Sequence, residues 1–354
     1  MRRKFRLPGI IFRIIAIVAA ASLCISYISV YISPVVTTIP LFFGLYFIPL
    51  VILNVLLLIV SLIFRSNAGW ITFIFLLPAL LFTDMFVRWE DGNQGEAGNS
   101  LKICTYNVGV FSLSRKDNRE ETINNIRRFI ADNSPDIVCF QEYHTRESEN
   151  LFHNFSQYPY THHHLFRKGS SSYIGNVILS KFPIVDAGKL LFDDSGNLCI
   201  YADIDYLGNI IRVYNVHLES NAISFTALIK SIREGGDLSE QIYSVHDKVA
   251  LTFKKRALQV DEVVRHFESS PHKAIICGDF NDTPMSYTYH SLVRNKKDSF
   301  KESGKGFSAT YSIFWPLLRI DYILYPESFW SMSHSTPRVD YSDHYPVISE
   351  IIIP

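Results

Sequence analysis

Apolar residues crowd into the first quarter of this chain, and that crowding restricts the fold more than any other feature. Three stretches before residue 90, roughly Ile14 to Ile32, Leu41 to Phe64 and Trp70 to Val87, are almost free of charge. At about 1.5 Å per helical residue each approaches the ~30 Å of a bilayer's hydrocarbon layer. The sequence therefore predicts three transmembrane helices within a membrane anchor over residues 1–89. Of the 354 residues 48% are hydrophobic, and the anchor explains the excess over an ordinary soluble domain.

Basic residues orient the anchor. Arg2, Arg3, Lys4, Arg6 and Arg13 surround the start of the first stretch, the first loop "SPVVTT" has no Lys or Arg, and Arg65 lies in the second loop. The positive-inside rule then puts the N-terminus in the cytoplasm and everything after Val87 outside, an arrangement that suits a bacterial inner membrane with a periplasmic domain. Arg88 at the last boundary opposes this weakly. A cleaved signal peptide competes for the first stretch, but two more apolar stretches follow it at once. Asp84 lies near the end of the third stretch, within reach of the interface. The polar, glycine-rich "EDGNQGEAGN", residues 90–99, reads as a linker.

Residues 100–354 form the remaining domain, long enough for one large core. After residue 98 the chain carries 27 Lys and Arg against 30 Asp and Glu, a net charge near −3 that gives no broad footprint for nucleic acid. Strand-like runs recur: "LKICTYNV", "DIVCFQE", "YIGNVILS", "NLCIYADID", "IIRVYNVHL", "KAIICGDF", "RIDYILY" and "YPVISEIII". "REETINNIRRFIADN" carries Ile123, Ile126, Phe129 and Ile130 on one helical face, and "DKVALTFKKRALQVDEVVRHFES" reads as a longer amphipathic helix. Strands outnumber helices without strict alternation, which predicts a layered α/β or α+β sandwich with helices covering two packed sheets, the α+β form being preferred. Cys104, Cys139, Cys199 and Cys277 sit in apolar runs with no zinc spacing and read as small buried hydrophobes. Arg256 and Gln259 on the long helix read as structural. The excursion over Glu219 to Asp247 is expected to shape the substrate site.

Polar residues repeatedly follow the apolar runs. Asn107 follows "ICTY", Glu142 follows "DIVCFQ", His217 follows "VYNV", Asp279 and Asn281 follow "IICG", Asp321 sits in "LRIDYIL", and Asp343 with His344 precedes "YPVISEI". Strands ending at one sheet edge would gather these groups into one cleft. The set holds hard oxygen ligands and imidazoles but no thiolate, which suits Mg²⁺, Mn²⁺ or Ca²⁺ over structural zinc. Singly, each has a plainer reading: a solvated turn residue for Glu142, a half-buried side chain for His217, turn formers for Asp282 and Pro284. The histidine-rich stretch of residues 161–176 reads as a surface loop near the cleft, since three adjacent histidines cannot all point one way.

In order, "TYNV", "DIVCFQE", "NVILSKFPI", "NVHL", "GDFNDTP", "RIDYIL" and "SDHYPV" resemble the endonuclease/exonuclease/phosphatase superfamily over essentially all of residues 100–354. The resemblance implies a four-layered αββα sandwich, preceded here by the membrane anchor, and a metal-dependent hydrolase of phosphate esters using Mg²⁺ or Mn²⁺. It implies Glu142 as principal metal ligand with Asn107 beside it and Asp343 completing the metal site or the hydrogen-bond network. Asp279 is expected to orient or deprotonate water, Asn281 to hold Asp279 and contact phosphate, Asp321 to fix His344, and His217 to donate to a phosphate oxygen. Asn176 and Arg167 are expected to contact substrate. The anchor favours an extracytoplasmic phosphate ester, with a lipid head group as one form of it. A surface nuclease is the alternative, and a catalytically silent scaffold is opposed by the intact residue set.

Overall fold

The computed structural model describes residues 7–89, 99–111, 119–147, 149, 155–220 and 238–354. The basic residues before Leu7, the expected linker over 90–98 and residues 221–237 of the expected excursion lie outside the described residues.

Two six-stranded sheets build the larger part of the molecule. Along the chain the strands are β1 (Val87–Arg88), β2 (Asn99–Asn107), β3 (Ile137–Arg146), β4 (Tyr160–Lys168), β5 (Ser172–Ser180), β6 (Ile184–Leu191), β7 (Leu198–Tyr206), β8 (Asn209–His217), β9 (Lys273–Asp279), β10 (Lys296–Asp298), β11 (Gly306–Phe307), β12 (Asp321–Pro326), β13 (Trp330–Ser335) and β14 (Val347–Ile353). One sheet runs β10-β12-β9-β8-β7-β6 and the other β13-β14-β2-β3-β5-β4. Only β2 with β3 and β8 with β9 are parallel pairs within these two sheets. Each needs a crossover, and helices supply it. Arg119–Asn133 links β2 to β3, and Leu238–Glu268 lies between β8 and β9.

The apolar side chains make three layers. Ile103, Ile137, Cys139 and Ile178 of one sheet meet Ile200, Val213, Ile275 and Ile323 of the other in a fully buried interior. On one outer face Ile126, Phe129 and Ile130 of Arg119–Asn133 cover Cys104, Val138 and Val177, as their helical spacing predicts. On the other, Val260, Val263 and Phe267 of the long helix cover Cys199, Tyr214 and Ile276. The α+β sandwich of two sheets is thus as expected. All five cysteines are free, four of them buried.

The N-terminal segment departs from its expected form. Its helices are α1 (Leu7–Ile28), α2 (Ile39–Leu45), α3 (Phe47–Ile63) and α4 (Gly69–Leu76), continued by a 3₁₀ stretch over Leu77–Met85. Among the described residues only Gly9–Ile28 is by itself long and apolar enough to cross a membrane; α2 and α3 qualify only as a pair bent by 70°, and Gly69–Met85 is shorter. The expectation of three transmembrane helices is corrected accordingly. Proline gives the reason. In a helix continuous through residue 46 the ring of Pro49 would meet the carbonyl of Leu45, and Pro78 stands where α4 gives way to 3₁₀ geometry.

These helices pack on one another through small residues, with Ala16, Ala19 and Ala20 of α1 buried and Asn54 Nδ2 donating to the carbonyl of Ala19 at 3.1 Å. They also seat on the sandwich. Ser29 Oγ donates to the carbonyl of Met285 at 2.7 Å, Leu41 packs on Val249 and Phe253, and β1 pairs with β11. We number the helices of the sandwich α5 (Arg119–Asn133), α6 (Leu238–Glu268), α7 (Tyr287–Val293) and α8 (Ser299–Ser303).

A buried ion pair supports this junction. Arg319, 1% exposed, holds Asp298 at 2.5 Å, Asp298 accepts from Tyr289 Oη at 2.7 Å, and a second Arg319 nitrogen donates to the carbonyl of Met85 at 3.5 Å. Breaking such a pair leaves an uncompensated buried charge, which costs about 3–5 kcal/mol. Arg319→Leu is expected to destabilise the full chain on that scale in denaturant unfolding, and Arg319→Leu with Asp298→Leu to recover much of the loss.

Candidate active site

Strand register sets the site before any side chain is considered. In β8, β9 and β12, His217 pairs with Asp279 and Asp279 with Asp321, so three functional residues lie in one row. Gly278 makes the row possible: at φ +137° it lies so close to the Val216 carbonyl that a Cβ there would collide with it. Across the interior, Asn107 ends β2 opposite Gln141 of β3. A register shift between Phe140 and Tyr143 then turns the backbone at Glu142, whose φ of 51° is unusual for a residue with a Cβ.

Asp279 is the hub. Its Oδ2 accepts from Asn107 Nδ2 at 3.0 Å and from Asn281 Nδ2 at 3.3 Å, and its Oδ1 accepts the Asn281 N–H at 2.8 Å. Two imidazoles face the same Oδ2, His217 Nε2 at 3.8 Å and His344 Nε2 at 3.7 Å. Burial pushes the Asp279 carboxyl up and the Asp321 charge adds to this, against the pull of His344, His217 and Asn107; the net direction is upward.

His344 is held from its other side. Its Nδ1 donates to Asp321 Oδ2 at 2.9 Å, a carboxylate being able only to accept. Burial alone lowers the imidazole, but the charges of Asp321 and Asp279 and the bond to Asp321 outweigh it and raise its pKa to about 10. Because this lies above the value of about 6.5 in an unfolded chain, the stability it contributes is complete below that pH. It is lost as pH climbs through the folded value.

Glu142 and Asp343 border this centre. Glu142 Oε1 accepts from Asn107 Nδ2 at 3.2 Å and lies 3.8 Å from His217 Nε2. Burial raises the Asp343 carboxyl, His344 lowers it, and the charge of Glu142 raises it further. Two carboxylates that repel each other are suited to a hard divalent cation, whereas Asn107 turns its Nδ2 to Glu142 and Asp279 and its Oδ1 to the Gly109 N–H at 3.0 Å. Asp279, Asp321 and His344 also bring ligand atoms within 4.8 Å of one another. A His344 protonated between two carboxylates already balances that trio, so Glu142 with Asp343 is the better cation site, Asn107 steadying Glu142 through its Nδ2.

Two of the expected substrate contacts are placed differently. Asn176 is fully buried between the sheets, its Nδ2 donating to the carbonyls of Leu198 and Asn215 at 3.1 Å each. Residues 161–176 form a β4–β5 hairpin in place of the expected loop; Arg167 pairs with Tyr173 there and donates to the Ser170 carbonyl at 2.6 Å. The histidines do diverge, since His162 and His164 alternate with His163 along β4. His162 Nε2 meets the Gly188 carbonyl at 3.0 Å and His164 Nδ1 meets Lys189 Nζ at 3.1 Å.

The site also contains residues that sequence reasoning passed over. The Tyr311 ring packs edge-on to His344 with centroids 5.2 Å apart, and Ser342 Oγ donates to the Asn107 carbonyl at 2.8 Å. Tyr311 had no signal in "SATYSIF"; Ser342 stood next to a singled-out pair.

Comparison with known proteins settles the lineage. Residues 104–344 match the Endonuclease/Exonuclease/phosphatase family. The chain belongs to that family. Its members are hydrolases acting on phosphate esters and generally use divalent metals. Residues 9–85 match a separate domain of unknown function (DUF8431). No curated protein matches the chain. Among solved structures, a family protein from Bacteroides vulgatus is similar with a TM-score of 0.53 and 17% identity, over 72% of this chain and all of that one (100%). One from Beutenbergia cavernae DSM 12333 is similar with 0.52 and 16%, over 72% of each chain. At these identities the likeness extends to the fold, which in both covers the sandwich.

In the metal-free protein His344 is expected to remain an imidazolium through neutral pH when followed by imidazole nitrogen NMR. Asp321→Asn should move its titration toward pH 6.5. A titration already near that value in the unaltered protein would contradict the pairing.

Proposed function

We propose that this chain is a divalent-metal-dependent phosphoric ester hydrolase tethered to a membrane, with its cleft on the extracytoplasmic side. The observation that carries the hydrolytic reading is the orphaned Nε2 of His217. It is buried, without a hydrogen-bond partner among the described residues, and lies 3.8 Å from both Glu142 and Asp279. A donor left unpaired beside two carboxylates fits an anion that completes it, such as the oxygens of a phosphate ester.

The roles follow from the atoms. Asp279 Oδ2 takes up a proton from the attacking water, steadied by Asn107 and Asn281. His344, charged and fixed by Asp321, offers Nε2–H to charge developing on the phosphoryl group. His217 orients the ester. Glu142, steadied by Asn107 Nδ2, and Asp343 would hold Mg²⁺ or Mn²⁺, which when bound polarises the ester and neutralises developing negative charge.

Support for the tether comes from the surface of α1 to α4. Ile14, Val18, Leu56, Ile63, Phe64 and Leu81 are exposed there, which water penalises and lipid does not. The contacts are one-sided as well. Ser29 at the end of α1, Phe42 in α2 and Met85 at the end of the third apolar stretch all meet the sandwich, while Arg65 closes the opposite end. A crossing by α1, with the basic N-terminus inside, would put the cleft on the extracytoplasmic side.

With Mg²⁺ or Mn²⁺, the detergent-solubilised full chain is expected to hydrolyse a p-nitrophenyl phosphodiester or monoester and to lose activity in EDTA. Asp279→Asn or His344→Asn should lower turnover by roughly 10²–10⁴-fold. Turnover unaffected by either change would end the assignment. For the tether, the chain should stay with membranes after an alkaline carbonate wash, and protease added to spheroplasts should digest the sandwich. Digestion only after lysis would reverse the orientation.

A further inference from the structure

Beyond the helical bundle, exposed apolar side chains gather in one more place, the segment from β11 to β12. Phe307 is 50% exposed, Ile313 66%, Phe314 42%, Trp315 40% and Leu317 42%, and Trp89 beside them is 86% exposed. Phe307 meets Trp315 edge-on with centroids 5.8 Å apart, yet all six side chains keep 40% or more of their surface open, and water disfavours such a patch.

Its position is fixed at both ends. On one side the patch is pinned to the bundle's exit. β11 pairs with β1 immediately after the third apolar stretch, Ser308 N–H donates to the Phe86 carbonyl at 2.9 Å, and Lys301 bridges Asp84 at 3.2 Å. On the other side it reaches the catalytic centre through rings: Phe314 stacks on Tyr311 with centroids 6.1 Å apart, and Tyr311 meets His344. Ser312 N–H and Oγ both donate to the Asp343 carbonyl at 2.8 Å. The Arg338 guanidinium lies 4.7 Å from the Trp315 ring.

We propose that this segment is a second membrane contact, lying in the bilayer interface beside the mouth of the cleft, and that the enzyme acts on phosphate esters borne by lipids. This rests on the hydrolase reading given above. Continuity selects the bilayer as occupant, because the patch begins where the exposed apolar surface of the bundle ends. Tryptophans and an arginine are the side chains that favour the head-group layer, apolar on one part and polar on another. Arg338 offers that layer a positive charge for anionic lipid. With the patch in the interface, Tyr311 spans the short distance from lipid level to His344, and a head group reaches the cleft without its acyl chains leaving the membrane.

The test uses the full chain reconstituted in vesicles of phosphatidylcholine with phosphatidic acid and phosphatidylglycerol, a monoester and a diester. A polarity-sensitive fluorophore is attached at Ile313→Cys, and separately at Leu207→Cys, in a Cys24→Ser background in which the other cysteines are buried. Leu207 is equally exposed, at 61%, but sits in the β7–β8 turn at the opposite sheet edge from His217. Doxyl-labelled lipids are expected to quench the first label and spare the second; equal quenching overturns the contact. The second arm uses Ile313→Ser with Leu317→Ser. Lipid turnover should fall by roughly tenfold or more, with turnover of the soluble p-nitrophenyl ester unchanged. Equal losses on both substrates, or on neither, overturn the proposal, as does a wild type that hydrolyses the soluble ester and neither lipid. A wild type inactive on every ester defeats the hydrolase reading instead, and the quenching still decides the contact.

Discussion

Everything in the cleft depends on a set of amides that bolts one sheet to the other. Gln141 Nε2 donates to Asn215 Oδ1 at 2.7 Å, and Asn215 Nδ2 donates to the carbonyls of Phe140 and Val177 at 2.9 Å each. Asn176 returns the link in the other direction. Within an apolar interior every one of these groups costs about 1–3 kcal/mol if left unpaired, so the sheets cannot slide without breaking several at once. One residue beyond Gln141 is Glu142, and two beyond Asn215 is His217. The clamp therefore sets the 3.8 Å between those two side chains, although neither takes part in it. Asn176 gains its explanation here as a member of the clamp.

The backbone is bent to the same end. Positive φ values occur at Glu142, where β3 is irregular between Phe140 and Tyr143 before its ladder resumes, and at Asn281, two residues past the end of β9. Electrostatics completes the arrangement: Asp279 and Asp321 face each other in register, a repulsive placement that the protonated His344 between them neutralises. Asp321 thus acts through His344, and its charge has meaning only with that ring in place.

The eight strands legible in the sequence are the eight interior strands of the two sheets. Those not foreseen, β4, β6, β10 and β13, are the four edges, half wetted and mixed in composition, with neither a continuous apolar run nor clean alternation to mark them. The site follows the same division. Residues at the ends of apolar runs stood out by contrast, from Asn107 to His344. Tyr311 and Ser342 lie in segments without periodicity, and Gln141 and Asn215 sit inside runs that read as core. In the anchor, hydropathy recorded that the segments are apolar but not where they break, because one proline changes the backbone without changing the average.

The seating of the bundle reaches close to the chemistry. Ser29 grips the main chain of Met285, four residues past Asn281, and Gly44 lies so near the same carbonyl that a side chain there would collide with it. A domain held in this way cannot swing like a ball on a cord. On a membrane it would operate at a single fixed height, and a cleft at fixed height works as a caliper: the distance from a buried chain to its phosphate becomes a dimension that the protein measures.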